Sequence, residues 1–150
     1  MNEQAVKNGK KRCQRCNRWL KLTKFRVRNG RLCGRTKRCK DCADGIHLQR
    51  RLAIKQEFVA AYGGKCACCG EHRLGFLTLD HVGGGGKLHR ATKMIGAGIG
   101  MYKWLKRNNW PKKKFQVLCM NCNWAISYGR PCPHKALEYR RYIKYKLSFV

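Results

Sequence analysis

Acidic residues are scarce in this chain: 7 Asp and Glu stand against 35 Lys and Arg in 150 residues, a formal net charge of +28. The excess is spread over almost the whole length rather than gathered in a tail, and such a field seeks a polyanion. Neutralising phosphates and releasing their counterions offsets the self-repulsion of so basic a chain. Charge names a partner class only, because ribosomal proteins, nucleases and DNA-binding modules look alike by this measure. Also lacking is any run long and apolar enough to span a bilayer, so no membrane partner is expected. Residues 1–12 (MNEQAVKNGKKR) lack the apolar centre of a secretory signal, which predicts a reducing cytoplasm. Length is short too. The chain makes one ordinary domain or two very small ones, with little apolar surface to bury.

What is abundant is cysteine, eleven in all. In a reducing compartment, paired Cys-x-x-Cys motifs point to zinc rather than disulfides. Cys13-Gln-Arg-Cys16 and Cys39-Lys-Asp-Cys42 are separated by 22 residues, with Trp19, Leu22 and Phe25 between them as a miniature core. Cys66-Ala-Cys-Cys69 is answered, after 49 intervening residues, by Cys119-Met-Asn-Cys122. Two structural zinc ions are expected, one on each set of four, and the second would pin two distant segments together. Cys33, Cys68 and Cys132 are left over. Cys68 reads as a bystander inside its knuckle, and Cys132-Pro-His134 either supplements a metal site or, the preferred reading, packs and starts a helix.

The periodicity predicts a basic linking helix over 45–62, with Leu48, Leu52, Val59 and Tyr62 at helical spacing and Gly63-Gly64 as its stop. The expected divisions are a four-cysteine module at 1–44, this helix, and a second module at 63–150. Within the latter, Leu74 to Leu79 reads as a strand ending at Asp80-His81 and the glycine run 83–86. A helix near Ile99–Lys106, a strand at Phe115–Leu118 and a helix from about Asn121 follow. Pro133 opens a last helix with Ala136, Tyr139, Ile143 and Leu147 on one face. The fold class is small, zinc-stabilised α+β.

Phosphodiester hydrolysis needs an activated water, a cation on the non-bridging oxygen and help for the departing oxygen. Asp80 is a hard oxygen ligand suited to Mg²⁺, and His81 can be a neutral base near pH 7. Adjacent side chains on a strand point to opposite faces, so both can meet one phosphate only where the strand ends or bulges, which the downstream glycines permit. Alternatively the two are a surface pair or a zinc ligand.

Leu77-Thr-Leu-Asp80-His81-Val-Gly-Gly-Gly-Gly86, flanked by Cys66-x-x-Cys69 and by Val117-Leu-Cys119-Met-Asn-Cys122-Asn123, resembles the HNH (His-Me finger) endonucleases with a ββα-metal core. The likeness is greatest to the zinc-containing endonuclease VII type, a group related to phages and mobile elements, and covers roughly residues 62–134. It implies that His81 deprotonates the attacking water, that Asp80 and Asn123 hold one catalytic Mg²⁺ or Mn²⁺, and that 5′-phosphate and 3′-hydroxyl ends result. DNA is favoured over RNA, in a bacterial or phage-infected host cytoplasm, and a homodimer is compatible. Asn121, the rival to Asn123, reads better as a helix N-cap. Many members carry a bracing asparagine on the second strand, where Gln116 stands nearest.

Several residues keep two readings. The glycine run serves as flexible chain or cradles phosphate; His89-Arg90 reaches the scissile phosphate or is an exposed basic pair. His47 and His72 have no partner pattern. Trp19, Trp104, Trp110 and Trp124 stack on bases or, the blander reading, are buried in the core. The main functional rival is a non-catalytic zinc protein such as a ribosomal or other RNA-binding component, which would not require Asp80, His81 and Asn123 together.

Overall fold

The computed structural model describes residues 6–30 and 32–148. The chain divides into two compact units, Met1–Arg51 and Leu52–Val150, the boundary falling within one long helix. The first unit opens with three short antiparallel strands, β1 (Val6–Lys7), β2 (Lys10–Arg12) and β3 (Trp19–Lys21), in the order β1-β2-β3. Strands this short with alternate Lys and Arg bury little, and the core of the unit is Phe25 with Cys13 and Cys39, flanked by Leu20, Cys16 and Cys42. Trp19 is exposed, so of the expected miniature core only Phe25 is fully buried.

Helix α1 spans Lys40–Ala61 and starts five residues before the expected helix, because Cys39 and Cys42 draw its first turn into the cysteine cluster. Leu48 and Leu52 are exposed; only Phe58 and Val59 are buried, near its C-terminal end. Gly63 and Gly64, both at positive φ, end it as the sequence suggests, with Gly64 N–H bonded to Val59 O.

The second unit is built on two strands, β4 (Leu77–His81) and β5 (Phe115–Cys119), paired antiparallel with Leu77 opposite Cys119 and His81 opposite Phe115. A 3-10 turn at Leu74–Phe76 takes the first half of the expected strand. Between the strands lie α2 (Gly86–Thr92), a helix that no periodicity in the sequence announces, and α3 (Ile99–Arg107). β5 runs directly into α4 (Met120–Ser127), and α5 (Ala136–Leu147) closes the described chain. Ile143 and Leu147 are exposed, so the expected apolar face of α5 is not covered; the Ala136 side chain lies outside the described residues. No helix among the described residues is long and apolar enough to cross a membrane.

The core of this unit joins Phe58 and Val59 to Leu77, Met101, Tyr102, Leu105, Phe115, Val117 and Leu118, and it continues into Cys66, Cys119, Cys122 and Cys132. Phe58 stacks on Tyr102 with ring centroids 4.7 Å apart. Tyr62 donates its hydroxyl to Pro111 O at 3.1 Å, and burial pushes its phenol up to about 12. Trp104 and Trp110 pack partly buried against this core, whereas Trp124 is exposed. Phe58 has no exposure and stacks in the centre of this core, so Phe58→Ala should destabilise the second unit by about 3–5 kcal/mol. Denaturant unfolding of the metal-replete protein measures this, and a loss under about 1 kcal/mol would contradict the packing described.

Candidate metal centres and the Asp80–His81 cleft

Both four-cysteine groups are assembled from the same two parts. One part is a tight turn in which the residue after the second cysteine takes the left-handed conformation: Asn17 (φ 57°) after Cys16, and Gly70 (φ 77°) after Cys69. The turns close through Asn17 N–H to Cys13 O at 2.9 Å and Gly70 N–H to Cys66 O at 3.0 Å. The other part is a helix N-terminus: Cys39 and Cys42 at the start of α1, Cys119 and Cys122 at the start of α4. Cys119 is the N-cap of α4, its sulfur accepting the Cys122 N–H, which displaces Asn121 from the capping role expected of it. Partial positive charge at these helix ends favours thiolates.

The ligand atoms of Cys13, Cys16, Cys39 and Cys42 all lie within 4.8 Å of one another, and so do those of Cys66, Cys69, Cys119 and Cys122. Tetrahedral zinc with bonds of about 2.3 Å separates its sulfurs by about 3.8 Å; Cys69 and Cys119 are 3.7 Å apart. Burial opposes ionisation of Cys13 and Cys66, but backbone N–H groups around each sulfur outweigh it and bring both thiols down to about 6. Each group therefore holds one cysteine ready as thiolate at neutral pH. All eleven cysteines are free of disulfides, and both groups are compatible with zinc.

Cys68, Cys132 and His134 form a third cluster with Cys122, again within 4.8 Å. Cys68 stands outside the four-sulfur set of its own knuckle and Cys132 packs in the core, as expected, but the helix expected from Pro133 starts later. α5 begins only at Ala136, and the loop after α4 turns back on itself, with Arg130 N–H on Ala125 O and Lys135 N–H on Cys132 O. Cys33, by contrast, is exposed and accepts from Lys11 Nζ at 3.1 Å.

Asp80, His81 and Asn123 line one cleft of about 580 Å³, together with Gly83 to Gly86, Lys87, Arg90 and Ser127. β4 ends at His81, where Gly84 N–H bonds to His81 O at 2.8 Å, and this turn lets neighbouring residues of the strand border the same space. Gln116, opposite Asp80 in the strand pair, donates Nε2 to Asp80 Oδ2 at 2.8 Å. It thus braces the carboxylate across the ladder rather than a loop. Asn123 donates Nδ2 to Leu79 O at 3.3 Å, which fixes its amide with Oδ1 as the remaining acceptor end.

His81 is held on three sides. Its Nε2 is 3.0 Å from His89 Nδ1, its ring meets Phe115 edge-on at 4.8 Å, and a Cβ on Gly86 would sit 2.8 Å from its Nδ1. Gly86 therefore has a steric role: any side chain there would displace the imidazole. His89 packs in turn on the Trp104 ring at 4.7 Å. Burial lowers the His81 pKa below its ordinary value, repulsion from His89 and Arg90 adds to this, and Asp80 opposes it. These contacts together favour the neutral imidazole.

Sequence reasoning left the contact of His89 with His81 unseen, because a spacing of eight residues across a loop carries no motif, and it missed the steric role of Gly86 for the same reason. Cys68, Cys132 and His134 did carry a signal, three soft donors left over beside a Cys-x-x-Cys pair. The first cluster could hold a metal ion independently of the second. Cys39→Ser should lower zinc content by one ion per chain and loosen amides of the first unit while those of β4 and β5 keep their protection; elemental analysis with hydrogen exchange reads both. Unchanged zinc content would remove the first site.

No protein-family model, curated protein or solved structure matches this chain, so the functional reading rests on its own residues.

Proposed function

We propose that the second unit is a metal-dependent HNH endonuclease that hydrolyses DNA phosphodiester bonds with His81 as general base. The observation that carries the reading is the convergence of Asp80, His81 and Asn123 on one glycine-edged cleft at the point where an antiparallel strand pair passes into a helix. The donor set suits one hard divalent cation: a carboxylate braced at one oxygen and an amide oxygen, in a cleft open enough to leave room for the waters Mg²⁺ retains. Asp80 and Asn123 would hold it. When bound, such an ion supplies positive charge to a non-bridging phosphate oxygen and to the departing oxygen.

The chain's own residues do the rest. With the shared proton on His81 Nε2, donated to His89 Nδ1, the lone pair of His81 lies on Nδ1 at the Gly86 side. Nδ1 takes a proton from water as the water oxygen bonds to phosphorus; the bond from phosphorus to O3′ breaks, and O3′ leaves as a hydroxyl after protonation by solvent. Arg90 and Lys87 border the cleft and attract the phosphate. His89 is a positioning residue that holds the ring and its tautomer. The first unit contributes a basic cleft of about 330 Å³ lined by Arg26, Arg28, Lys37, Arg38 and His47, suited to backbone phosphates.

The rival, a non-catalytic zinc-containing nucleic-acid-binding protein, draws on that same charge and needs no general base. Incubation of the full chain with supercoiled plasmid separates the two. Cleavage is expected with Mg²⁺ or Mn²⁺ and none with EDTA. His81→Ala should reduce the rate by about 10²–10⁴ with zinc content and DNA affinity kept. Asp80→Ala and Asn123→Ala should be partly rescued by more metal. Because only neutral His81 accepts the proton and its pKa is lowered, the acid limb of the rate profile should fall below pH 6.5, the ordinary value, and His89→Ala should move it upward. Wild-type cutting by His81→Ala would refute the assignment.

A further inference from the structure

We infer that the second unit carries a two-zinc thiolate cluster, one ion on Cys66, Cys69, Cys119 and Cys122 and another on Cys68, Cys132 and His134, with the Cys122 sulfur bridging them. The inference is independent of the nuclease reading. Seven residues offer seven donor atoms, whereas two tetrahedral ions need eight positions. Cys122 is the one residue common to both groups, and sharing its sulfur completes both sets.

The distances fit. Cys122 Sγ lies 3.4 Å from Cys132 Sγ and 3.3 Å from His134 Nδ1, and Cys132 Sγ lies 3.3 Å from the same nitrogen. Ligands of one tetrahedral zinc with bonds of about 2.0–2.3 Å stand about 3.5–3.8 Å apart, so these contacts are ligand–ligand edges that need only a few tenths of an ångström of spreading. Cys122 and Cys132 are buried and Cys68 half-buried, while His134 is exposed at the rim. A soft sulfur set closed by one imidazole selects zinc over Mg²⁺ or Ca²⁺.

Charge supports sharing as well. Six thiolates around two Zn²⁺ leave a formal charge of −2, the same as a single four-cysteine zinc site, so the second ion adds no net charge to the interior. Without it, three polar ligand atoms from the 66–69 turn and the post-α4 loop converge on Cys122 with nothing but weak S–H and N–H contacts to hold them. The second ion would clamp that loop to α4, the helix that carries Asn123 into the cleft.

The full chain, purified without chelators, should contain three zinc ions by native mass spectrometry, one for each donor group. Cys132→Ser combined with His134→Ala should contain two. In cadmium-113-substituted wild-type protein, two of three resonances should show cadmium–cadmium coupling through the shared sulfur. Two metal ions in the wild type would overturn the proposal, as would an unchanged count in the double variant. Three ions without the coupling would overturn the bridge. The wild-type measurements stand even if the variant fails to fold.

Discussion

The second unit depends on the clasp between Cys66/Cys69 and Cys119/Cys122. Its residues are too few to bury a large core, and its two paired strands are separated by the 33 residues between His81 and Phe115. An antiparallel pair of five-residue strands is marginal by itself. The four sulfurs join the turn before β4 to the end of β5, and Ala67 N–H bonds to Val117 O beside them. These sulfurs could hold zinc, and metal bound there would contribute folding free energy. One of these sulfurs, that of Cys119, also caps α4, so one constraint sets strand register, helix start and the position of Asn123.

From that constraint the cleft follows. Leu77 faces the core opposite Cys119, and three steps along the ladder Asp80 meets Gln116, then His81 meets Phe115. A slip of one residue would exchange the faces of Asp80 and His81 and break the Gln116 bond. The electrostatics are mixed by design of position. The carboxylate is braced by a neutral amide, while burial and the neighbouring His89 and Arg90 disfavour protonation of His81.

Much of this was legible in the sequence where chemistry repeats at short range. The cysteine pairs named their own partners, and the β5 and α3 segments fell within a residue or two of expectation. What could not be read depends on long-range placement. Leu48 and Leu52 have helical spacing yet stay exposed, because spacing reports a face and not what covers it. α2 begins at Gly86, where glycine is required by the closeness of His81 rather than by flexibility, and no local pattern encodes that. The approach of Cys132 and His134 to Cys122 arises only when the chain turns back after α4.

The central claim is that thiolate-bound metal builds the cleft. It is tested most directly by stripping zinc from the intact protein with a thiol-directed reagent, reversing the modification with reductant, and following amide exchange at 77–81 and 115–119 before and after zinc is returned. The account predicts that protection of both strands and the His81–His89 imidazole contact are lost together in the stripped protein and return together with zinc. Strands that keep their protection without metal would contradict it.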